Sequence, residues 1–300
     1  MGQTVLISGA NGLIGSAVAS ALKADGWTVK RLVRRATSAA DEIQWEPTRG
    51  ADTSAVEGAD AVVHLAGEPV FGRWTAEKMQ RIRNSRTMGT AALANALAQC
   101  ERKPRVMVSA SAVGYYGDRG GELLTEDSSP GKGFLAETAV AWERAAEAAK
   151  HAGIRVVHLR TGIVLSRAGG ALKTMLPAFK LGIAGRLGSG TQYFPWVTLV
   201  DMVRVVKFAL ANESLSGAVN VVAPKVVSNF TFTETLAKVV GPPAFIPVPE
   251  FLLKLLPGNM AQEAILASAR VRPQRLLEKG FKFTYPELEP ALKAIMENKA

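Results

Sequence analysis

Ser8-Gly9-Ala10-Asn11-Gly12-Leu13-Ile14-Gly15 is the stretch on which the fold turns. The apolar run Thr4–Ser8 before it reads as a strand, and Leu13–Lys23 after it reads as a helix. Gly9 permits a tight turn, Gly12 lets the backbone approach a pyrophosphate, and Gly15 lets helix and strand pack closely. Asn11, Leu13 and Ile14 complete the loop and open the helix, whose unpaired N–H groups and dipole suit phosphate. Three glycines alone say little. Flanked by strand and helix, they predict a dinucleotide-binding loop.

Reading outward, strand and helix patterns alternate. Thr28–Val33, Ala59–Leu65, Arg105–Ser109 and Ile154–Leu159 read as strands, and Glu77–Gln99 and Glu137–Ala152 as helices. This alternation predicts an α/β fold, a Rossmann doubly wound parallel sheet covered on both faces. After residue 162 glycines and prolines multiply, which marks loops and short elements. Leu199–Leu210 reads as a helix and Ala218–Val222 as a strand. The expected organisation is a Rossmann domain over 1–162, with 196–222 returning to it. A smaller C-terminal α/β substrate lobe takes 163–195 and 223–300.

The second strand ends in Val33-Arg34-Arg35. An NAD-binding chain places an acid about 20 residues past the glycines, to accept hydrogen bonds from the ribose 2′-hydroxyl. Here Arg34 lies 19 residues after Gly15, and the next acid past it is Asp41. A guanidinium there suits a 2′-phosphate, so Arg34 and Arg35 point to NADP(H).

Bulk properties narrow the remaining classes. The 300 residues carry a formal net charge of +10. The basic residues are spread apart from Lys30 to Arg35 and Lys78 to Arg86, and a phosphorylated cofactor with an anionic substrate accounts for both clusters. No nucleic-acid partner is expected. No apolar run approaches a membrane span, and no signal peptide is read. The single cysteine, Cys100, excludes an internal disulfide and fits the cytoplasm. No Cys/His cluster has metal-ligand spacing, so no metal is expected.

The glycine loop, His64-Leu65-Ala66-Gly67 and Ser109-Ala110-Ser111-Ala112-Val113-Gly114-Tyr115-Tyr116-Gly117 together resemble the extended short-chain dehydrogenase/reductases. The chain is closer still to their atypical nucleotide-sugar epimerase-like branch of the NAD-dependent epimerase/dehydratase family. Ala66-Gly67-Glu68-Pro69, Arg73-Trp74, Ser85-Arg86, Phe134-Leu135-Ala136-Glu137, Trp142-Glu143, Arg160-Thr161-Gly162, Gly188-Ser189-Gly190-Thr191-Gln192 and Arg272-Pro273 carry that likeness. The tail from about Pro249 resembles the branch's C-terminal domain of unknown function. The resemblance implies that Leu65, Ala66, Gly67 and Glu68 line the adenine and ribose. It puts Thr161 and Gly162 on the cofactor's nicotinamide side and counts Ser109 and Arg160 among the cofactor-binding residues. Arg81 and Arg86 are expected to reach the cofactor or a substrate phosphate. Ser111 matches the serine that hydrogen-bonds the reacting oxygen. A homodimer is compatible with the resemblance.

The pattern breaks at the proton-transfer pair. The superfamily carries Tyr-x-x-x-Lys on the helix after the serine strand, where a lysine and the oxidised nicotinamide lower the tyrosine pKa. The tyrosines here are 115, 116, 193 and 285, and the fourth residues after them are Arg119, Gly120, Val197 and Glu289. The helix reads Phe134-Leu135-Ala136-Glu137-Thr138-Ala139 instead. Three readings stay open. Tyr115 or Tyr116 replaces the acid, Glu137 replaces it if burial raises its pKa, or the chemistry is lost and an NADP(H)-responsive binding protein remains.

Gly185–Trp196 is a glycine-rich loop expected to line the cleft for a small-molecule substrate, a nucleotide sugar among the candidates. Trp196 or Tyr193 could stack on a ring, while Arg186 and Gln192 could hold polar or anionic groups. Asp201 reads as a helix cap or inter-domain contact. Thr198 stands where relatives often carry histidine. The expected activity is hydride transfer at a carbohydrate-like carbon, as reduction or epimerisation.

Overall fold

The computed structural model describes residues 2–37, 39–47, 53–241, 246–249 and 260–299. A seven-stranded sheet forms the centre, in the order β11-β7-β5-β4-β1-β2-β3, with every neighbouring pair parallel. Its strands are β1 (Thr4–Ser8), β2 (Thr28–Val33), β3 (Glu42–Gln44), β4 (Ala61–His64), β5 (Val106–Ala112), β7 (Arg155–Thr161) and β11 (Gly217–Val221). From β1 the chain builds outward through β2 and β3, then crosses back to β4 and builds the other way. Ligands of such sheets bind outside the carboxyl ends of the strands at that reversal, here between β1 and β4.

Alternation along each strand sends side chains to both faces. Val5 and Ile7 of β1 join Val18 and Leu22 of α1 (Leu13–Ala24) and Val205 and Val206 of α7 (Leu199–Ala211). Leu6, between them, faces the other way with Val62 and Met107, against Leu93 and Leu97 of α3 (Ala76–Gln99). Both faces are therefore covered, which is why these strands read as continuous apolar runs.

Two of the differences in extent bear on the site. The helix expected over Glu137–Ala152 starts earlier and is split into α4 (Phe134–Arg144) and α5 (Glu147–His151). Its start is set by Gly133 at φ +102°, and its middle tightens where Ala146 N–H bonds Glu143 O. Strand β5 runs to Ala112, paired with Thr161 of β7, so Ser109 and Ser111 both belong to the sheet.

A separate hydrophobic cluster gathers β8 (Ile163–Leu165), α6 (Gly170–Lys180), β9 (Tyr193–Phe194), β12 (Val227–Ser228), α8 (Asn229–Val240) and α10 (Leu288–Met296) around Phe232 and Leu292, and it takes in Trp196 of β10 (Trp196–Thr198), a segment expected with the first domain. The short β13 (Arg270–Val271) pairs with β6 (Leu123–Leu124), and α9 (Gln274–Glu278) follows it. Asp201 is fully buried and ties α7 to the tail by accepting the Thr284 and Tyr285 N–H groups at 2.8 and 2.9 Å. Among the described residues no helix is long and apolar enough to cross a membrane, and no group of three or more His, Cys, Asp or Glu could hold a metal ion.

Candidate functional site

The glycine loop sits at the β1/β4 reversal and is built by contact with β4's exit. Gly9 has φ +70°, and a Cβ there would lie 2.8 Å from the Leu65 carbonyl and 2.9 Å from Ala66 N. A Cβ on Gly15 would collide with the Gly9 carbonyl. Gly12 N–H bonds Gly9 O at 3.0 Å, closing the turn before α1. Ser8 locks the two loops together. Its Oγ accepts from Leu65 N and Ala66 N at 3.1 and 3.2 Å and lies 2.7 Å from His64 Nδ1. With both acceptor positions used, the hydroxyl proton goes to Nδ1, and the His64 ring carries its own proton on Nε2. Burial pushes His64 down to about 4, so it is neutral at pH 7.

In and just past β2, two of three arginines take the available acids. Arg31 is bidentate to Asp41 at 2.8 and 3.1 Å, and Arg35 reaches the buried Glu42 at 2.6 Å. The Arg31 and Lys23 hydrogen bonds hold Asp41 at about 2. Arg34 is exposed and has no carboxylate partner among the described residues.

On the other side of the loop, Glu68 is paired with Lys78 at 2.6 Å and has Arg81 at 3.7 Å. The Arg86 guanidinium donates to Glu68 O and Ile82 O, both at 3.0 Å, and lies over the Trp142 ring. A side chain on Gly67 would stand 3.6 Å from it. Burial pulls Arg86 down to about 10, which leaves it charged at pH 7.

At the ends of β5 and β7 lies a buried polar network. Arg160 grips Glu143 of α4 through Nε at 2.8 Å and a terminal nitrogen at 2.9 Å. Ser111 Oγ donates to the same Glu143 Oε1 at 2.7 Å. Burial opposes both charges, but the pair prevails: Glu143 is held below the usual carboxylate range and Arg160 above the usual guanidinium range. Arg160 also donates to Tyr116 Oη at 3.1 Å and lies 3.4 Å over the Tyr115 ring.

A model of the NAD dependent epimerase/dehydratase family matches residues 5–222, and one of a domain of unknown function, DUF1731, matches residues 248–295. The chain is a member of the NAD-dependent epimerase/dehydratase family. It is 41% identical over 290 residues to the epimerase family protein Mb2239 of Mycobacterium bovis, covering 96% of each chain. It is 34% identical over 296 residues to the human epimerase family protein SDR39U1, covering 97% of this chain and 99% of that one. The crystal structure of human SDR39U1 isoform 2 with NADPH superposes with TM-score 0.89 at 33% identity, over 99% of this chain and 100% of that one. A nucleoside-diphosphate sugar epimerase from Corynebacterium glutamicum superposes with TM-score 0.80 at 34% identity, over 97% of this chain and 57% of that one.

Within this family member the sequence-predicted proton carriers are dispersed. Tyr116 does not stand as one: it is fully buried, and its hydroxyl lies 2.7 Å from Asn220 Oδ1 and 2.9 Å from Thr125 O. Burial pushes it up to about 12. Glu137 is exposed on the outer face of α4, in a groove with Arg83 and Arg144, so the burial its role required is absent. Ser111 is on the right strand, but its proton is committed to Glu143. Tyr115 is half-buried at the rim of β5. Phe134 and Leu135 pack with Trp74, Ile82 and Met260 in an apolar cluster.

The remaining predicted contacts also sort themselves. Asn11, Leu13 and Ile14 lie at the start of α1, and Leu65, Ala66 and Gly67 line the loop opposite. Ser109 is buried within the sheet, beside His64 and His158. Thr161 and Gly162 close β7, where Gly162 N–H bonds Val221 O. Trp196 does not present a stacking face, since it is 1% exposed and belongs to the cluster around Phe232. Gln192 is buried and braces its own loop by donating to Leu187 O at 3.0 Å. Arg186 is exposed, and Tyr193 is half-buried with Arg270 over its ring. Two groups carried no role in the sequence reading. Glu143 had a signal, a charge on the inner face of a helix rich in alanine. Ser8 had none beyond its place before the first glycine.

Proposed function

We propose that the chain binds NADP(H) at the β1/β4 edge and acts by hydride transfer on a nucleotide-sugar or other carbohydrate-like substrate without the usual Tyr-x-x-x-Lys pair. The observation that carries the cofactor is Arg34: its neighbours Arg31 and Arg35 are held by Asp41 and Glu42, and it alone of the three has no carboxylate partner among the described residues, two positions past the Leu32 that pairs with Ser8. The cradle fits the group, because a Cβ on Gly9 or Gly15 would fill backbone space the turn requires. The human relative solved with NADPH supports the same choice. When bound, the cofactor supplies or accepts the hydride.

The chain's own residues do the rest. Ser8 fixes the Leu65–Gly67 loop against the turn, α1 offers its N-terminus to the pyrophosphate, and Arg86 adds a fixed cation beside Gly67. Tyr115 is the sequence-predicted hydroxyl still open to the rim. Arg160 beneath it is neutralised by Glu143, so Tyr115 lacks the unpaired cation the superfamily's lysine provides. The single buried Cys100 fits a reducing cytoplasm, the compartment this reading assigns.

A second reading, an NADP(H)-responsive binding protein without turnover, is favoured by the commitment of the Ser111 proton to Glu143. Single-turnover oxidation of bound NADPH against a panel of keto sugars and their nucleoside-diphosphate conjugates separates the two. Oxidation with at least one carbonyl supports the first reading, and none across the panel supports the second.

A further inference from the structure

The C-terminal segment supplies to α4 what its own sequence lacks. Ala261–Leu266 forms a π-helical turn, a rare geometry that recurs at functional sites. This turn sets Glu263 against the start of α4, where Oε2 accepts the Leu135 N–H at 2.8 Å. A Cβ on Gly133 would come within 2.9 Å of Oε2 and 3.2 Å of Oε1, so glycine here admits the carboxyl as well as the positive φ. Ala264 and Ile265 of the same turn pack with Phe134, Leu135 and Trp74. Glu263 is half-buried, and its Oε1 has no hydrogen-bond or ion-pair partner among the described residues.

The position matters more than the bond. Phe134 and Leu135 open the helix that in the resembled superfamily bears the proton-transfer tyrosine. Ser111 and Tyr116 have their hydroxyls engaged, and Glu137 points outward. The first turn's own acid, Glu137, faces outward, and Glu263 brings a second acid to the Leu135 side of that turn from a different part of the chain.

We infer that Glu263 is the proton carrier of the reaction proposed above, delivered by the C-terminal domain to the turn where Phe134 cannot act. The inference rests on that hydride-transfer reading. In oxidation the substrate's C–H and O–H bonds break and its C=O bond forms. The hydride pair goes to the nicotinamide and the hydroxyl proton goes to Glu263 Oε1. In reduction the same proton returns to the oxygen as the carbon regains the pair. Oε2 stays on Leu135 N–H throughout, which keeps Oε1 in one orientation.

The test uses the full chain titrated separately with NADP+ and NADPH by calorimetry, in the wild type, E263Q and E263A, with thermal unfolding alongside. A carboxylate at the reacting end attracts the cationic oxidised ring and not the neutral reduced one. E263Q is expected to lower the NADP+ over NADPH affinity ratio about fivefold or more, the scale of one water-screened charge pair. Its unfolding midpoint should hold, since the glutamine oxygen still accepts Leu135 N–H. E263A should lower the ratio equally and the midpoint as well. An unchanged ratio in both variants, with both cofactors bound, overturns the inference and leaves Glu263 a helix cap. A wild type that binds neither cofactor overturns the NADP(H) reading itself, and the inference falls with it.

Discussion

Arg160 and Glu143 are joined by two hydrogen bonds of 2.8 and 2.9 Å in the protein interior, where the arginine side chain is 5% and the glutamate side chain 13% exposed. This pair anchors α4 to the sheet, and Ser111 hangs from it.

Removing one partner leaves a buried charge uncompensated. Glu143→Ala is expected to destabilise the fold by about 3–5 kcal/mol, whereas the double variant Glu143→Leu/Arg160→Met should lose much less. Urea unfolding of Glu143→Leu, Arg160→Met and the double variant measures the coupling. Additive losses would show that the pair does not hold α4.

His64 makes stability depend on pH in mild acid. Its folded value is about 4 and its unfolded value is ordinary, about 6.5. Above pH 6.5 both states are neutral and His64 contributes nothing. As pH falls from about 6.5 to about 4, the unfolded chain takes up a proton the folded one refuses, and stability falls by about 3 kcal/mol. Urea midpoints at several pH values across that window should drop, and His64→Asn should flatten this part of the profile.

Arg34→Glu should weaken NADPH binding about 30-fold or more, from loss of a charge-assisted contact and gain of repulsion, with NADH changed little. Fluorescence titration with each cofactor reads the difference. Equal loss for both would remove the 2′-phosphate assignment.

Gly9→Ala combines a positive φ with a Cβ set against Leu65 and Ala66. The variant should lose about 1–3 kcal/mol of stability and most NADPH affinity, because relief of the clash opens the loop that Ser8 closes. Ser8→Ala should weaken binding with a smaller stability cost. If Ser8→Ala binds NADPH like the wild type, the Ser8–His64 lock is not what shapes the loop.

The parts legible in the sequence were those fixed by backbone geometry close along the chain. Gly9, Gly12 and Gly15 could be assigned because strand, turn and helix constrain them within a few residues. Arg34 could be placed just past β2 by counting from the turn. Side-chain direction was not legible. Tyr115 and Tyr116 are neighbours in sequence, yet one lies at the rim and the other in the core. Trp196 reads as a loop aromatic until β10 is seen pairing with β8 through its backbone. Ser111 carries the expected residue type, but its role depends on Glu143, which a helix brings from 32 positions away. Glu263 lies 128 positions from its partner Leu135, with no local pattern to mark it.

That last separation has a consequence for how the protein is made. A ribosome extends the chain from the amino end, at roughly 5–20 residues per second. The sheet's strands through β11 emerge well before residue 263 does. The nascent nucleotide fold therefore waits with the first turn of α4 uncapped and the cluster around Phe134 lacking Met260, Ala264 and Ile265. Only when the final stretch leaves the exit tunnel can that cluster be completed, so premature termination would yield a chain that is folded at its centre and sticky at its edge.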